Sequence, residues 1–176
     1  MLFTLEMFAY LQVKPEVAGP GYHKYIQELL RMKVEGTVVD KCGLVLAVLK
    51  SEMVDQGKLQ EGTGLILVPM RYFAEVLQPF KNEVIDCEVS EVNKIGFFAY
   101  HGPLQVFVTA SCMPKGYTYS EEDVYAGGGP AYVSSTSQIK LGTAVRVRII
   151  ATKQEDQGLY AVGSINGDYL GPRVQG

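Results

Sequence analysis

The sequence predicts an α+β protein with two parts, a small unit of strands with one helix followed by a five-stranded β-barrel. Three observations support this fold class. The first half contains one helical stripe among strand-like runs, the stretch from Pro79 to Pro114 holds three strand-like runs joined by short turns, and two more strands follow. The chain has 176 residues, of which 47% are apolar, which is sufficient for one large or two small packed domains.

The first part begins with a strand over Leu2–Leu11, an apolar run that is ended by Pro15. A helix over about Tyr22–Met32 follows a Gly-Pro-Gly turn. Its apolar residues recur with the spacing of one helix face, and this stripe consists of Tyr22, Ile26, Leu29 and Leu30.

The rest of the first part predicts a sheet that covers one side of this helix. The order β-α-β-β-loop-β indicates a small α+β unit over residues 1–78, with the domain boundary at Pro79 and a second domain over residues 79–176. Pro69 is expected to interrupt the last strand, since proline lacks the backbone donor of a ladder. The predicted pieces are strands Val34–Val39 and Leu44–Leu49, a protruding loop Lys50–Gly64, and strands Leu65–Val68 and Met70–Leu77.

The second part has the strand count of an oligonucleotide-binding (OB) barrel. Its first three strands are joined by short connections typical of hairpins, and Gly96-Phe97-Phe98 enters the second of them, as in OB folds of the ribosomal RNA-binding type. A long irregular segment, Lys115–Gln138, precedes the last two strands. The five strands are Val84–Val92, Ile95–Tyr100, Leu104–Thr109, Lys140–Ile150 and Leu159–Ile165.

Composition limits the possible functions. Lys and Arg total 16 against 19 Asp and Glu, a net charge of −3, so any contact with nucleic acid comes from a local patch and is weak and salt-sensitive. Cys42, Cys87 and Cys112 are far apart in the sequence, which argues against a zinc site or a disulfide framework. No signal peptide, membrane span or catalytic constellation is indicated.

An ordered set of short motifs over nearly the full length resembles a known family. The chain is similar to the family of the seventh subunit of RNA polymerase II, which includes its archaeal counterpart. The pieces that carry the resemblance are Pro15, Gly19-Pro20, Val34-Glu35-Gly36, Gly43, Pro79-Phe80-Lys81, Glu83-Val84, Gly96-Phe97, Gly102-Pro103, Val106-Phe107-Val108, Met113-Pro114, Gly163-Ser164-Ile165 and Asp168-Tyr169-Leu170-Gly171.

This resemblance implies a nuclear subunit with no catalytic site, metal or cofactor of its own. The first domain becomes a truncated RNP-like α/β-sandwich whose tip docks on the polymerase core near the clamp, and the chain pairs with the fourth subunit in a stalk. The OB domain contacts nascent single-stranded RNA weakly and without sequence preference. By position, the docking residues are Asp55, Gly57, Leu59, Gly62, Gly64 and Leu65.

The RNA face is predicted from related OB domains and from strand alternation. Aromatic side chains there stack on bases, and basic side chains beside them neutralise phosphates. The competing interpretation is that Phe98 packs in the core or between domains and that the two arginines form a solvated strand face. The expected RNA-binding residues are Lys94, Ile95, Phe98, Tyr100, Phe107, Thr109, Arg146 and Arg148.

Two alternative functions share this fold. One is the corresponding stalk subunit of RNA polymerase III or I, which differs in the assembly that it joins. The other is a free-standing OB-fold RNA-binding factor of translation or RNA decay, which needs no polymerase contact.

The first strand is a predicted protein-binding element. As an edge strand, Leu2–Leu11, with Phe8 and Tyr10, is expected to accept a protein partner.

Overall fold

The computed structural model describes residues 1–121, 129–155 and 158–173. The chain forms two compact units, Met1–Gln78 and Pro79–Gly176. Each unit has its own buried core and is described by itself. Among the described residues, no helix is long and apolar enough to cross a membrane.

The first unit is an antiparallel sheet with one helix on one face. The elements are β1 (Leu2–Val13), α1 (Tyr22–Val34), β2 (Val38–Val39), β3 (Gly43–Met53), β4 (Lys58–Leu59) and β5 (Ile66–Leu77). The strand order is β1-β5-β3-β2, and the short strand β4 also pairs with β5. The two longest strands, β1 and β5, pair over their full length, from Leu2 opposite Leu77 to Val13 opposite Ile66.

The predicted helical stripe packs against this sheet, as expected. Ile26 and Leu30 are fully buried, and Tyr22 and Leu29 pack beside them at the margin of the core. Each fully buried aliphatic side chain of this kind stabilises the fold by about 1.5–3 kcal/mol relative to an exposed one.

The strand predicted over Val34–Val39 is wrong in its first half, because the helix continues through Val34. Glu35 then ends the helix, and its side chain accepts a hydrogen bond from the backbone N–H of Val48 at 2.9 Å. Only Val38–Val39 remain to pair with β3.

The break predicted at Pro69 is also wrong, since β5 runs through it. The carbonyl oxygen of Pro69 accepts from the backbone N–H of Val54 at 3.0 Å, so this residue faces the β3 side of the sheet. Proline has no backbone N–H, and at Pro69 none is needed, because β3 ends at Met53 and the ladder between β3 and β5 does not continue past this point.

The segment predicted as a loop, Lys50–Gly64, is partly strand. Its first residues continue β3 as far as Met53, and Lys58–Leu59 form β4 against Leu67 and Ile66. The chain therefore projects as two tight turns around a short strand.

The second unit contains a closed five-stranded barrel with OB topology. The barrel strands are β6 (Val84–Asn93), β7 (Gly96–His101), β8 (Leu104–Thr109), β12 (Ala144–Glu155) and β13 (Gly158–Ser164), with β14 (Gly171–Pro172) added beside β12. The order is β13-β8-β7-β6-β12, and β12 also pairs with β13, which closes the barrel. The β13–β8 pair is parallel and the other pairs are antiparallel.

The barrel interior is filled by alternate residues of every strand, and two glycines permit its closest approaches. A Cβ at Gly96 would collide with the carbonyl oxygen of Val108, and one at Gly163 would collide with a methyl group of Val147. Cys87 lies inside the barrel, where burial raises the pKa of its thiol to about 12.

The segment predicted as irregular, Lys115–Gln138, contains a second small sheet. Its strands are β9 (Thr118–Ser120), β10 (Ala131–Val133) and β11 (Gln138–Ile139). The buried Tyr132 fastens this sheet to the barrel, because its hydroxyl donates to the carbonyl oxygen of Asn93 at 2.7 Å. Part of the predicted segment, residues 122–128, lies outside the described residues.

The predicted strand Lys140–Ile150 is displaced toward the C-terminus and forms β12, over Ala144–Glu155. The register of β12 against β13 shifts between Ile149 and Ala151. A bulge of this kind bends a strand and leaves the pairing intact on either side, so β12 and β13 continue together as a ribbon beyond the barrel.

Candidate nucleic-acid interface

An apolar row crosses four strands on the outside of the barrel. Phe98 of β7 lies opposite Phe107 of β8, which lies opposite Val162 of β13, which lies opposite Ala151 of β12. The Phe98 and Phe107 rings are in contact, with centroids 4.6 Å apart and planes inclined by 35°. Both side chains are half-buried, so part of each ring remains exposed on the outside of the barrel.

A second row runs parallel to the first, two residues along each strand. Tyr100 lies opposite Gln105, Gln105 opposite Tyr160, and Tyr160 opposite Lys153. A cavity of about 180 Å³ lies among residues of both rows. We call these two rows the aromatic face, which consists of Phe98, Phe107, Val162, Ala151, Tyr100, Gln105, Tyr160 and Lys153.

Strand alternation places the two adjacent phenylalanines on opposite sides of the barrel wall. Phe97 and Ala99 point into the barrel and are fully buried, whereas Phe98 is half-buried and Tyr100 exposed on the outside. Phe97 is therefore a core residue, and Phe98 belongs to the outer surface of its unit.

Lys94 lies near the end of the predicted face but is already paired. Its Nζ atom is 3.3 Å from Glu121 and lies over the ring of Tyr119, 6.0 Å from the centroid. The hydrogen bond from Lys94 lowers the pKa of the Glu121 carboxyl, with a further contribution from Tyr119. Two further predicted residues, Ile95 and Thr109, are beside the first turn of the barrel, where the carbonyl oxygen of Ile95 accepts a hydrogen bond from the backbone N–H of Ala110.

The structure does not bring the predicted arginines next to the phenylalanines. Arg146 and Arg148 are on β12 beyond β6, which separates them from β7. Arg146 forms a two-nitrogen contact with the Asp86 carboxylate, at 2.8 and 3.2 Å. This hydrogen bonding holds the pKa of Asp86 below its usual value. Arg148 lies two residues further along β12 and is exposed.

Five residues of the aromatic face were missed by the sequence prediction. Ala151 and Lys153 are absent from it because the predicted strand stopped before the bulge that carries β12 onward. Gln105, Tyr160 and Val162 are outward residues of strands that were predicted correctly, so extending the alternation across all strands would have found them.

The predicted docking residues cluster around β4 in the first unit. Leu59 is on β4 and is exposed, Asp55 and Gly57 lie in the turn before it, and Gly62, Gly64 and Leu65 follow it. Nothing in the described residues gathers three or more potential metal ligands.

Comparison with known proteins identifies both units. Residues 9–64 match the family model described as "SHS2 domain found in N terminus of Rpb7p/Rpc25p/MJ0397", and residues 78–159 match "S1 RNA binding domain". S1 domains are OB barrels, so the predicted α+β fold class is confirmed. By fold and by domain composition, the chain belongs to the class of proteins that join an SHS2 domain of this N-terminal type to an S1 domain.

The relatives define the family. The chain is 32% identical to DNA-directed RNA polymerase II subunit 7 of Arabidopsis thaliana, over 97% of this chain and 96% of that protein. It is 33% identical to DNA-directed RNA polymerase II subunit RPB7 of Saccharomyces cerevisiae, covering 97% and 99%, and 32% identical to DNA-directed RNA polymerase V subunit 7 of A. thaliana, covering 82% and 80%. The chain belongs to the RNA polymerase II subunit 7 family, which confirms the predicted resemblance and the expectation of a subunit rather than an enzyme.

Proposed function

We propose that this chain is a stalk subunit of nuclear RNA polymerase II that pairs with the fourth subunit, docks on the core near the clamp through the segment around β4, and contacts nascent RNA through the aromatic face. Its role lies in transcription, including initiation. The observation that carries the RNA-binding part is the alignment of Phe98, Phe107, Tyr100 and Tyr160 in two adjacent rows on an S1 barrel.

The chemistry of the aromatic face suits single-stranded RNA. Stacking on aromatic side chains contributes about 1–3 kcal/mol per base and does not depend on base identity. Lys153 is the one lysine or arginine in the two rows, and its ammonium is paired with Glu155. Because few cations are free to neutralise phosphates, binding is expected to be weak. Because stacking does not distinguish the bases, binding is also expected to lack sequence preference.

The first unit supports the protein-binding part. Strand β1 pairs with β5 along one side, and within the described residues no strand pairs with its other side. Phe8 and Tyr10 are about two-thirds exposed on the sheet face opposite the helix. At this edge the Lys33 ammonium donates to the carbonyl oxygen of Tyr10 at 3.1 Å. An edge that no strand covers, beside exposed aromatic side chains, is a surface that a partner protein can cover.

Affinity purification of the full chain from its native cells, followed by mass spectrometry, tests the assembly. We expect the fourth subunit and the largest subunit of RNA polymerase II. Recovery of the largest subunit of polymerase III or I instead would assign the chain to that enzyme. Recovery of ribosomes or RNA-decay factors alone would contradict the proposal.

Binding of a mixed-sequence single-stranded RNA by the full chain tests the aromatic face. Phe98→Ala combined with Phe107→Ala removes both stacking rings without disturbing the barrel interior, and we expect about a fivefold or greater loss of affinity. Tyr169→Ala is the matched control, because Tyr169 is the most exposed aromatic residue of the described chain and lies off the face. Equal affinity of the double variant and the control would count against this face.

A further inference from the structure

A compact ionic cluster lies on the outside of the barrel beside the aromatic face. The Asp86 carboxylate contacts two arginines at once, Arg146 through two nitrogens and Arg173 through Nη1 at 2.9 Å. Arg173 follows β14, whose pairing with β12 places it there, and its backbone N–H donates to Ala144. The Nδ1 atom of His101 is 2.6 Å from the Asp86 carbonyl oxygen.

The two guanidinium groups are not fully used by this carboxylate. The Nη1 atom of Arg146, and the Nε and Nη2 atoms of Arg173, have no acceptor among the described residues. All three side chains are between one-third and just over one-half exposed, so a ligand can reach them. Paired guanidinium groups are the usual protein partners of a phosphate, whose oxygens accept the same parallel N–H bonds as a carboxylate.

The cluster also continues the aromatic face in register. Tyr100 is opposite Glu88, and Asp86 is two residues further along β6, opposite Arg146. Since neighbouring strands lie about 4.8 Å apart and a strand rises about 3.3 Å per residue, the backbone of Asp86 lies roughly 8 Å from that of Tyr100, and the backbone of Arg146 roughly 12 Å. A strand of RNA whose bases stack on Phe98 and Tyr100 would bring a following phosphate over the arginines.

We propose that Arg146 and Arg173 form a phosphate site for single-stranded RNA, and that Asp86 occupies this site as an internal competitor. The inference rests on the proposed RNA contact of the aromatic face. It adds Arg173, which follows the C-terminal strand, to the binding surface. It also gives Asp86 a restraining role, because the carboxylate neutralises one of the two positive charges that a phosphate would meet.

The test compares single-stranded RNA binding by full-length variants over a range of salt concentrations. Asp86→Asn removes the competing charge and retains the size of the side chain. One further phosphate contact on a single strand steepens the salt dependence by about 0.7 in log–log slope, which is about fivefold in affinity at roughly 0.1 M salt. Glu88→Gln is the matched control, since Glu88 is exposed on the same face of the same strand.

We expect Asp86→Asn to bind about fivefold more tightly with a steeper salt slope, and Glu88→Gln to show a clearly smaller gain. Arg146→Ala with Arg173→Ala should abolish the gain in the Asp86→Asn background and flatten the slope in the wild-type background. An equal gain from Glu88→Gln, or no gain from Asp86→Asn, would overturn the site while leaving the aromatic face intact. A wild-type chain that fails to bind RNA at low salt would instead overturn the proposed function and this site with it.

Discussion

The sheet of the second unit is closed into a barrel, whereas the sheet of the first unit is open at its edge. The second unit closes its sheet through the β12–β13 pair, so every barrel strand has neighbours on both sides. The first unit leaves β1 at an edge and covers only one sheet face with a helix. A closed barrel satisfies its own backbone and can present its outer surface to a flexible ligand, whereas an open sheet keeps an edge with which another chain can pair.

The outer surfaces of the two units also differ in how many charged side chains they carry. On the first unit, Arg71 contacts both Glu6 and Glu52, and Lys50 contacts Glu52, so one ionic network spans β1, β5 and β3. The charges of that network neutralise one another in the middle of the open face. On the barrel, the aromatic face has few charges, and the arginine cluster lies beyond its margin. The proposed protein-binding surface therefore carries a balanced ionic network, whereas the proposed RNA-binding surface is mostly uncharged.

The largest expected effect separates the stabilities of the two units. Gly96→Ala forces a methyl group against the backbone of β8, which cannot move without opening the barrel, and we expect a cost of about 3 kcal/mol. Thermal unfolding followed by circular dichroism should show earlier loss of the barrel with the helical signal of the first unit retained. Gly129→Ala is the control, because a Cβ there has no atom within 4 Å. Simultaneous loss of both signals would show that the units unfold as one.

An intermediate effect separates their binding functions. Phe8→Asp places a charge on the open sheet face, and burying that charge under a partner would cost about 2 kcal/mol or more. Copurification of the fourth subunit should fall at least tenfold while RNA affinity stays unchanged. Met32→Asp, at an exposed apolar position on the helix of the same unit, should leave both unchanged. Retained copurification by Phe8→Asp would place the partner elsewhere.

The smallest expected effect concerns the acid sensitivity of the open face. Hydrogen bonds from Lys50 and then Arg71 lower the pKa of Glu52 from 4.5 to about 2. A carboxyl group whose pKa is lower in the folded state stabilises the fold above its unfolded pKa, and this contribution is lost as the pH falls toward the folded value. Glu52→Gln should therefore lower the urea midpoint slightly at neutral pH, and the difference from wild type should vanish as the pH falls from about 4.5 to 2. A difference independent of pH would indicate lost packing instead.

Most strands were predictable from local patterns, because alternation and turn residues act within one segment. The hairpin strands between Val84 and Thr109 agree with the prediction to within one residue at each end. Pro69 was misread because its tolerance depends on where the neighbouring β3 ends, which is a property of the assembled sheet. The bulge after Ile149 depends on closure of the barrel against β13, and no local pattern encodes that pairing.

In the candidate site, too, local features were predictable and long-range ones were not. The outward orientation of Phe98 and Tyr100 follows from alternation along one strand, and both were predicted from the sequence as RNA-binding residues. The partners that surround Arg146 were not predictable, because Asp86 and Arg173 are 60 and 27 residues away in the chain and meet it only through strand register. Sequence therefore indicated the surface, and long-range pairing decided which charges remain free on it.

Burial inside the barrel makes the thiol of Cys87 unreactive toward alkylating reagents at neutral pH. A thiol whose pKa is about 12 is almost entirely protonated, and only the thiolate is alkylated. Cys42, in the turn before β3, is half-buried and belongs to the first unit. Pulsed alkylation followed by peptide mass analysis thus measures opening of the barrel at Cys87, while Cys42 and Cys112, which are partly exposed in the folded chain, serve as internal controls for the reagent.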